Sequence, residues 1–421
     1  MAPIEPTSAS TGPDARSARQ PTDRPRAALV SLLIAHYRGA VFTALQRRGR
    51  FRWVLFGDGT DAGSGIARWQ APPDIPVRTA RARYLPGGMM WQSGIVQLGL
   101  SREFDALVFV GNATWPATWI TAILGRLTGK RVFFWTHGWI VPPTGIKGLF
   151  RNAFYRLANG LLLYGHGAKE IGIRAGFDPA RLHVVYNSLD VEAQTAARDR
   201  VTPEDERALR RELFGSPDIA IAMCSTRLTA LRRLDLLIEA ASELRRSGMQ
   251  IGLLLVGDGP ERQNLERLAL ERGVPTCFTG ACYDETMLAR YTMASNVTVA
   301  PGKVGLTAMQ SLGYGIPVIT HNDADHQMPE WEAITPGQTG SLFHRDDLPS
   351  LIEAMRPWLH SPGTDAATRA RCRVIIDRFY NPEFQRRVID RALQGLPADD
   401  LFWLHERDEA ITPSAAPPGT R

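Results

Sequence analysis

The chain has 421 residues, of which 44% are hydrophobic and 22% are charged, and its formal net charge is +6. This composition is typical of a globular protein that is long enough for two domains with sizeable cores. No apolar run approaches the ~18 residues that a membrane span needs, which excludes a transmembrane helix.

The positive charge is concentrated in the first half of the chain. Residues 26–188 hold 20 Lys and Arg against 7 Asp and Glu, whereas residues 189–421 hold 26 against 33. A basic half predicts contact with anions, and nucleic acid, anionic lipid and a phosphate-bearing substrate all fit. No nucleic-acid-binding motif accompanies the charge, so we expect no nucleic-acid partner.

Two features bear on location. The run AALVSLLIA at residues 27–35 is more typical of a buried first strand than of a signal peptide, because HYR follows it instead of a small-residue cleavage pattern. The cysteines lack the spacing of a zinc site and indicate buried or free thiols in a reducing cytoplasm. They are Cys224, Cys277, Cys282 and Cys372.

In chain order, residues 1–25 are rich in Pro, Ser, Thr and Ala, which predicts a disordered tail. Over residues 26–190, apolar runs such as ALVSLLIA, ALVFVG, RVFFWTH, LLLYG and HVVYN alternate with helical patterns. Such alternation predicts a parallel sheet flanked by helices. We expect a first Rossmann-like domain here.

Residues 191–217 break this alternation and predict a linker with a helix. The pattern restarts at IAIAMCS and predicts a second Rossmann-like domain at residues 218–375. Helices at 376–405 are expected to pack back on the first domain, followed by a disordered tail at 406–421. The predicted fold class is therefore α/β, with two tandem doubly wound parallel-sheet domains facing across a cleft that binds the ligand.

One turn of the second domain is suited to an anion. In PGKVGLTAMQ, the residues Gly302, Lys303 and Gly305 precede a helix that starts near Leu306. Free backbone N–H groups at a helix start point towards an anion, glycine allows close approach, and Lys303 adds positive charge. A tight turn with an incidental lysine is the competing interpretation.

Two further segments carry candidate ligands for phosphate. Arg227, Arg232 and Arg233 follow a strand, and guanidinium groups match phosphate oxygens with paired hydrogen bonds. His137 ends the run VFFWTH, where it can donate to a phosphate or titrate near neutral pH. A solvated basic loop and a buried core histidine are the respective alternatives.

Taken together, the segments resemble the GT-B glycosyltransferases of family 4, the group 1 transferases. The matching pieces occur in family order over residues 130–355: WTHGW, VVYNSLD, STRLTALRRLDLLIEA, LLLVGDGPERQNL, CFTGACYDETMLARYTMAS, PGKVGLTAMQSLGYGIPVI and HQMPEWEAI…GQTGSLF. The resemblance implies a nucleotide-sugar donor bound mainly by the second domain. It also implies retaining transfer that needs neither a metal ion nor another cofactor.

The resemblance also assigns the groups around the donor diphosphate. Arg227 falls on the residue that grips the diphosphate, and Arg232 replaces the usual lysine, with Arg233 beside it. Gly305 and Leu306 would offer backbone N–H groups.

The remaining donor contacts come from other segments. His137 falls on the first-domain histidine that approaches the donor, and with Arg227 and Arg232 it completes the expected catalytic set. Gly280 and Cys282 would border the base. Glu330 falls on the glutamate of the usual GG-x-P-E segment, where Gln327 replaces a glycine.

The family usually carries two glutamates around the glycine turn, and here they fall on Gly302 and Gln310. Gln310 keeps an acceptor oxygen for the ribose hydroxyls. At Gly302 only backbone remains, so we expect the turn to act through N–H groups, the helix dipole and Lys303. A diphosphate oxygen would then take the proton of an acceptor that attacks on the leaving-group face.

We therefore predict a retaining, hexosyltransferase-like glycosyltransferase. It would move a sugar from a nucleoside diphosphate to a glycan or lipid-linked saccharide during cell-surface polysaccharide synthesis. One alternative is a catalytically degenerate GT-B binding subunit that assists a partner transferase, and another is a GT-B relative that isomerises sugar nucleotides. The basic amphipathic segment 146–160 suits peripheral contact with the inner face of an anionic membrane or an ordinary surface helix, in a cytoplasmic protein.

Overall fold

The computed structural model describes residues 24–58, 68–360 and 363–399. The predicted C-terminal tail, and all but the last two residues of the predicted N-terminal tail, lie outside this range.

The first domain is built on a parallel sheet. The strands of the domain are β1 (Arg26–Leu33), β2 (Arg52–Asp58), β3 (Val77–Thr79), β4 (Ala82–Leu85), β5 (Met89–Gln92), β6 (Ala106–Val110), β7 (Arg131–Thr136), β8 (Gly160–Leu163) and β9 (Leu182–Val184). The sheet runs in the order β3-β2-β1-β6-β7-β8-β9, while β4 and β5 form a separate antiparallel hairpin. Its helices are α1 (Gly39–Arg48), α2 (Val96–Leu100), α3 (Pro116–Leu127), α4 (Gly145–Arg156) and α5 (His166–Arg174).

The second domain repeats this architecture. Its strands are β10 (Ala220–Ser225), β11 (Ile251–Val256), β12 (Thr276–Gly280), β13 (Val297–Ala300), β14 (Val318–His321) and β15 (Gly340–Phe343), in the sheet order β12-β11-β10-β13-β14-β15. The helices from residue 191 onward are α6 (Val191–Arg198), α7 (Pro203–Phe214), α8 (Leu234–Arg246), α9 (Arg262–Glu271), α10 (Glu285–Met293), α11 (Leu306–Gly313), α12 (Leu348–Met355), α13 (Ala366–Arg378) and α14 (Pro382–Leu393). Short 3-10 turns at Ala230–Arg232 and Pro329–Ala333 lie beside the cleft.

Continuous apolar runs form these strands because both faces of each sheet are covered. In β1, Ala28 and Val30 enter one core while Ala27 and Leu29 enter the core on the opposite face. The predicted α/β fold with two Rossmann-like domains is confirmed. The sequence analysis did not single out β2, although its apolar run carries the same signal as β1.

The segment predicted as a linker with one helix contains two helices, α6 and α7, that pack against α10 of the second domain. Helix α14 crosses back to the first domain and packs on α1. There the carboxylate of Asp390 accepts hydrogen bonds of 3.1 Å from the backbone N–H of Arg50. In the part of the chain that is described, no helix has the length and apolar character needed to cross a membrane.

Candidate functional site

The carboxyl ends of both sheets face a cleft that contains two cavities. The larger cavity, of about 880 Å³, has His36, Tyr37 and Trp69 of the first domain in its wall. From the second domain, its lining includes the predicted donor residues Cys282, Leu306 and Gln310. The structure thus brings together three residues that are up to 28 positions apart in the chain.

The smaller cavity, of about 440 Å³, lies on the other side of the same cleft. Its lining includes His137 and Trp139 from the first domain and Gln327, Met328 and Trp331 from the second. His137 is therefore at the domain boundary, as the ligand position in a two-domain α/β protein requires.

An arginine that the sequence analysis did not select lies beside His137. The guanidinium of Arg38 hydrogen-bonds to the hydroxyl of Tyr164 and lies 5.0 Å from the ring centroid of Trp135. The His137 ring lies 4.7 Å from the Tyr164 ring. Arg38 follows β1 at the carboxyl end of the sheet, and its position in the segment 36–48, a candidate acceptor loop from the sequence, is the signal that points to it.

The electrostatic environment keeps His137 neutral. His137 is exposed where it lines the smaller cavity, but desolvation by the surrounding protein and the positive charge of Arg38 lower its pKa to about 4. The group therefore does not titrate near neutral pH, contrary to that part of our expectation. A neutral imidazole can still donate one hydrogen bond to an anion.

The three predicted arginines have different environments. Arg227 is exposed and has no hydrogen-bond or ion-pair partner among the described residues. The guanidinium of Arg232 donates to the backbone carbonyl of Lys303, so this side chain braces the glycine turn. Arg227 is consequently the cation of this loop that is available to a ligand.

Arg233 pairs with carboxylates instead of being free to bind the diphosphate, as was predicted. Its guanidinium pairs with Asp235 at 3.1 Å and also with Asp346, and the Asp235 hydrogen bond raises the pKa of Arg233. The residue adopts φ 50° at the start of α8. Because two carboxylates neutralise its charge, we do not expect Arg233 to bind a diphosphate.

The glycine turn is only partly open to a ligand. The N–H of Gly302 donates to the carbonyl of Arg232 at 3.1 Å, and the N–H of Val304 donates to Oε1 of Gln327 at 3.1 Å. Neither group is free, which corrects the expectation for Gly302. The N–H groups of Gly305 and Leu306, at the start of α11, have no partner within the described ranges.

Residue 302 has no room for a side chain in this backbone. A Cβ atom at Gly302 would overlap with the carbonyl oxygen of Leu231 and lie 2.9 Å from Cα of Arg232. The turn approaches the arginine loop too closely for any side chain at this position.

Glu330 is not on the surface of the cleft. It is 2% exposed, and one carboxylate oxygen accepts a 2.9 Å hydrogen bond from the side chain of Asn187 in the first domain. Its other oxygen has no partner among the described residues, and burial raises the pKa of Glu330. The contact with Asn187 makes Glu330 a link between the domains, so we do not expect it to touch the donor directly.

Of the two residues predicted to border the base, Cys282 lines the larger cavity and Gly280 does not. Cys282 lines the larger cavity and Tyr283 lies beside it, with its ring 6.3 Å from that of His36 across the cleft. Gly280 ends β12 with φ 80°, a conformation that suits glycine, and is not part of the cavity wall. Within the described residues, no group of three His, Cys, Asp or Glu side chains is arranged to hold a metal ion.

Comparison of the sequence with known proteins gives one family match and several relatives. Residues 205–374 match the family model described as Glycosyl transferases group 1. A GDP-mannose-dependent alpha-(1-6)-phosphatidylinositol monomannoside mannosyltransferase of Mycolicibacterium smegmatis is 25% identical over 327 residues, which span 71% of this chain and 81% of the relative. An alpha-D-kanosaminyltransferase of Streptomyces kanamyceticus is 27% identical over 220 residues, 50% of this chain and 54% of the relative.

The fold is shared with solved structures. The Anabaena protein Alr3699/HepE in complex with UDP superposes with a TM-score of 0.65 at 16% identity, covering 88% of this chain and 100% of the other. At this identity the likeness establishes the fold, and the chemistry has to be argued from the residues themselves.

Proposed function

Because the chain carries a glycosyl transferases group 1 domain and is a glycosyltransferase of the GT-B fold, we propose that it transfers a sugar from a nucleoside diphosphate to a lipid-linked saccharide. One observation carries the proposal. Leu306, whose N–H group is free, lines the larger cavity together with Ser225. Gly305, whose N–H group is also free, directly precedes Leu306, and the unpaired Arg227 follows Ser225 by two residues. Such groups match the oxygens of a diphosphate.

The donor would extend along the second domain. Gln310 and Cys282, in the wall of the larger cavity, would face the ribose and the base. The GDP-mannose dependence named for the mycobacterial relative, and the UDP named for the Anabaena complex, support a nucleoside-diphosphate donor. Neither name chooses the base for this chain.

We propose transfer with retention of configuration. The bond between the anomeric carbon and the diphosphate oxygen breaks, and a bond to the acceptor oxygen forms on the same face of the sugar. The acceptor proton passes to the departing diphosphate oxygen, so no protein carboxylate is needed at Gly302. Cationic and N–H groups stabilise the charge that develops on the diphosphate.

Metal-independent transfer is part of the same proposal. Arg227, Lys303 and the start of α11 would supply the positive field that a divalent cation supplies in other sites. If transfer proceeds at an unchanged rate in excess EDTA, these groups suffice. Loss of activity that Mg²⁺ or Mn²⁺ restores would contradict the proposal.

We propose a lipid-linked acceptor because such a substrate lies in a membrane, and the first domain has an exposed apolar surface suited to contact with one. We call this surface the α3–α4 face. Helices α3 and α4 adjoin through the rings of Trp119 and Phe150, whose centroids are 4.8 Å apart. The most exposed apolar side chains of the face are those of Ile146 (85%), Leu127 (79%) and Leu149 (71%). The other members of the face are Ile120, Ile123 and Phe150.

Positive charge near this face supports an anionic bilayer as its proposed occupant. Residues 106–169, which include both helices, contain seven Lys and Arg and no Asp or Glu, although Lys130 and Lys169 are buried. Lys147 and Arg151 alternate with the apolar residues of α4 itself. An apolar helix surface among cations is suited to the interface of anionic lipids, where each basic residue contributes about 1 kcal/mol.

Donor binding and transfer test the function together. The purified protein is screened by thermal shift with UDP-, GDP- and dTDP-sugars, and the donor that binds is then incubated with membrane extract. We expect one donor class to raise the melting temperature and its sugar to enter the lipid fraction. Binding without hydrolysis or transfer would favour a subunit that only binds donors, and failure to bind any nucleotide would reject the proposal.

Membrane contact is tested by sedimentation with liposomes of anionic or neutral lipid. Ile146→Asp combined with Leu149→Asp should abolish sedimentation with anionic liposomes. Leu270→Asp is the matched control, because Leu270 on α9 of the second domain is 83% exposed. Equal sedimentation of all variants, or indifference to lipid charge, would contradict the membrane proposal.

A further inference from the structure

Two departures from the family pattern lie against each other in space. Gly302 stands where the family has its first glutamate, and Gln327 stands where it has a glycine. In the structure, Nε2 of Gln327 lies 3.4 Å from the carbonyl oxygen of Gly302, and its Oε1 accepts the 3.1 Å hydrogen bond from Val304. One side chain therefore holds both ends of the tripeptide that contains Lys303.

The geometry requires an amide at residue 327. Gln327 is 2% exposed, and its Nε2 also donates to Oγ1 of Thr320 at 2.7 Å and to the carbonyl of His321 at 3.2 Å. The acceptor oxygen faces an N–H, while the donor nitrogen faces carbonyl and hydroxyl oxygens. An ionised carboxylate would face these oxygens without a proton, and an aliphatic side chain would leave them unsatisfied.

The opposite side of the tripeptide is held by the arginine loop. The N–H of Gly302 donates to the carbonyl of Arg232, and the guanidinium of Arg232 donates to the carbonyl of Lys303. The tripeptide lies between Arg232 and Gln327, with bonds to both. It leads directly into Gly305 and Leu306, whose N–H groups are free of partners among the described residues.

We propose that Gln327 is a positioning residue for the transfer reaction, which holds the Gly302–Val304 turn so that Lys303 and the start of α11 face the diphosphate. This inference rests on the proposed function. Gln327 acts through the turn, and it also lines the smaller cavity beside His137.

The test compares the affinities for UDP and UMP by calorimetry, with GDP and GMP as the second pair. The ratio of the two affinities reports the diphosphate contacts and does not change when a fraction of the protein is unfolded. We expect Gln327→Leu to lower the preference for UDP over UMP by roughly tenfold and to lower kcat for transfer.

The control is a buried amide of the same domain that is away from the cleft. Asn296 is 1% exposed and precedes β13, where its Oδ1 accepts from the N–H of Ile221 at 3.0 Å. Asn296→Leu should lower the melting temperature and leave the UDP/UMP ratio unchanged. A ratio that is unchanged in Gln327→Leu, or that shifts equally in both variants, would overturn the inference.

Gln327→Glu adds a pH readout. The protonated acid has the donor and the acceptor that the site requires, and burial raises the pKa of a carboxyl group. The activity of Gln327→Glu relative to the wild-type protein should therefore rise as the pH falls from about 8 to about 6. A constant relative activity would contradict the positioning role. Failure of the wild-type protein to bind any nucleotide would instead reject the proposed function.

Discussion

The carboxylate of Glu332, in the second domain, accepts a 2.9 Å hydrogen bond from the backbone N–H of Gly167 in the first domain. The same carboxylate accepts a 2.7 Å bond from the N–H of His166, so it sits at the positive end of α5. A Cβ atom at Gly165 would lie 2.7 Å from the carboxylate, so a larger residue there would displace the Glu332 side chain. Together with the bond between Glu330 and Asn187, this contact joins the domains at the back of the smaller cavity.

Glu332→Gln should loosen the domain contact. The amide keeps one acceptor but loses the charge at the start of α5, a change worth about 1–2 kcal/mol. Small-angle X-ray scattering should give a larger radius of gyration than for the wild-type protein. The control is Glu353→Gln on α12, where the side chain is 75% exposed. An identical scattering curve for Glu332→Gln would exclude a role in holding the domains together.

A glutamate should destabilise the fold at residue 302 but not at residue 310. Gly302→Glu forces a side chain into the backbone of Leu231 and Arg232 and should destabilise the fold by about 3 kcal/mol or more. Gln310→Glu places its carboxylate in the larger cavity and should unfold at the wild-type midpoint. Urea unfolding of both variants measures the difference. A wild-type midpoint for Gly302→Glu would show that the turn can move away from the arginine loop.

Arg227 and Arg233 should differ in their contributions to nucleotide binding. Arg227→Ala removes the unpaired cation and should weaken UDP or GDP binding by about 1.5–3 kcal/mol. Arg233→Ala removes a side chain that already pairs with Asp235 and Asp346, so the affinity should change little. Isothermal titration of both variants checks this order, and a larger loss for Arg233→Ala would reverse our assignment.

His183 should make the protein less stable in mild acid. It is 4% exposed, and burial, with the charges of Lys169 and Arg391, lowers its pKa to about 4. Between about pH 6.5 and 4 the unfolded chain binds a proton at this residue and the folded protein does not. Stability is therefore lost as the pH falls through this window, by up to about 3 kcal/mol.

Urea unfolding at pH 7 and pH 5 measures this effect. His183→Gln should lose part of the pH dependence, while His344→Gln, on the surface, should retain it. His137, whose pKa is also lowered to about 4, contributes in the same direction and accounts for dependence that remains. A pH dependence that is unchanged in His183→Gln would contradict the assignment.

The fold could be predicted from the sequence because it depends on the pattern of apolar residues within short segments. Continuous apolar runs such as RVFFWT and IGLLLV predict strands buried on both faces, and the helical patterns between them require parallel pairing. The glycine turn and α11 were predicted at their observed positions for the same reason. Glycines and the start of an amphipathic helix leave a signal in consecutive residues.

The roles of individual side chains were decided only by tertiary structure. Arg227 and Arg233 are six positions apart on one loop, yet one is unpaired and the other is neutralised by Asp346, which is 113 residues further along the chain. In the sequence, Gly302 stands for a missing acid, whereas in the structure the carbonyl of Leu231 occupies the space that its side chain would need. Arg38 hydrogen-bonds to Tyr164, which is 126 residues further along the chain. Backbone conformation follows from neighbours in the chain, whereas the charge, the burial and the partner of a side chain follow from residues that only folding brings near.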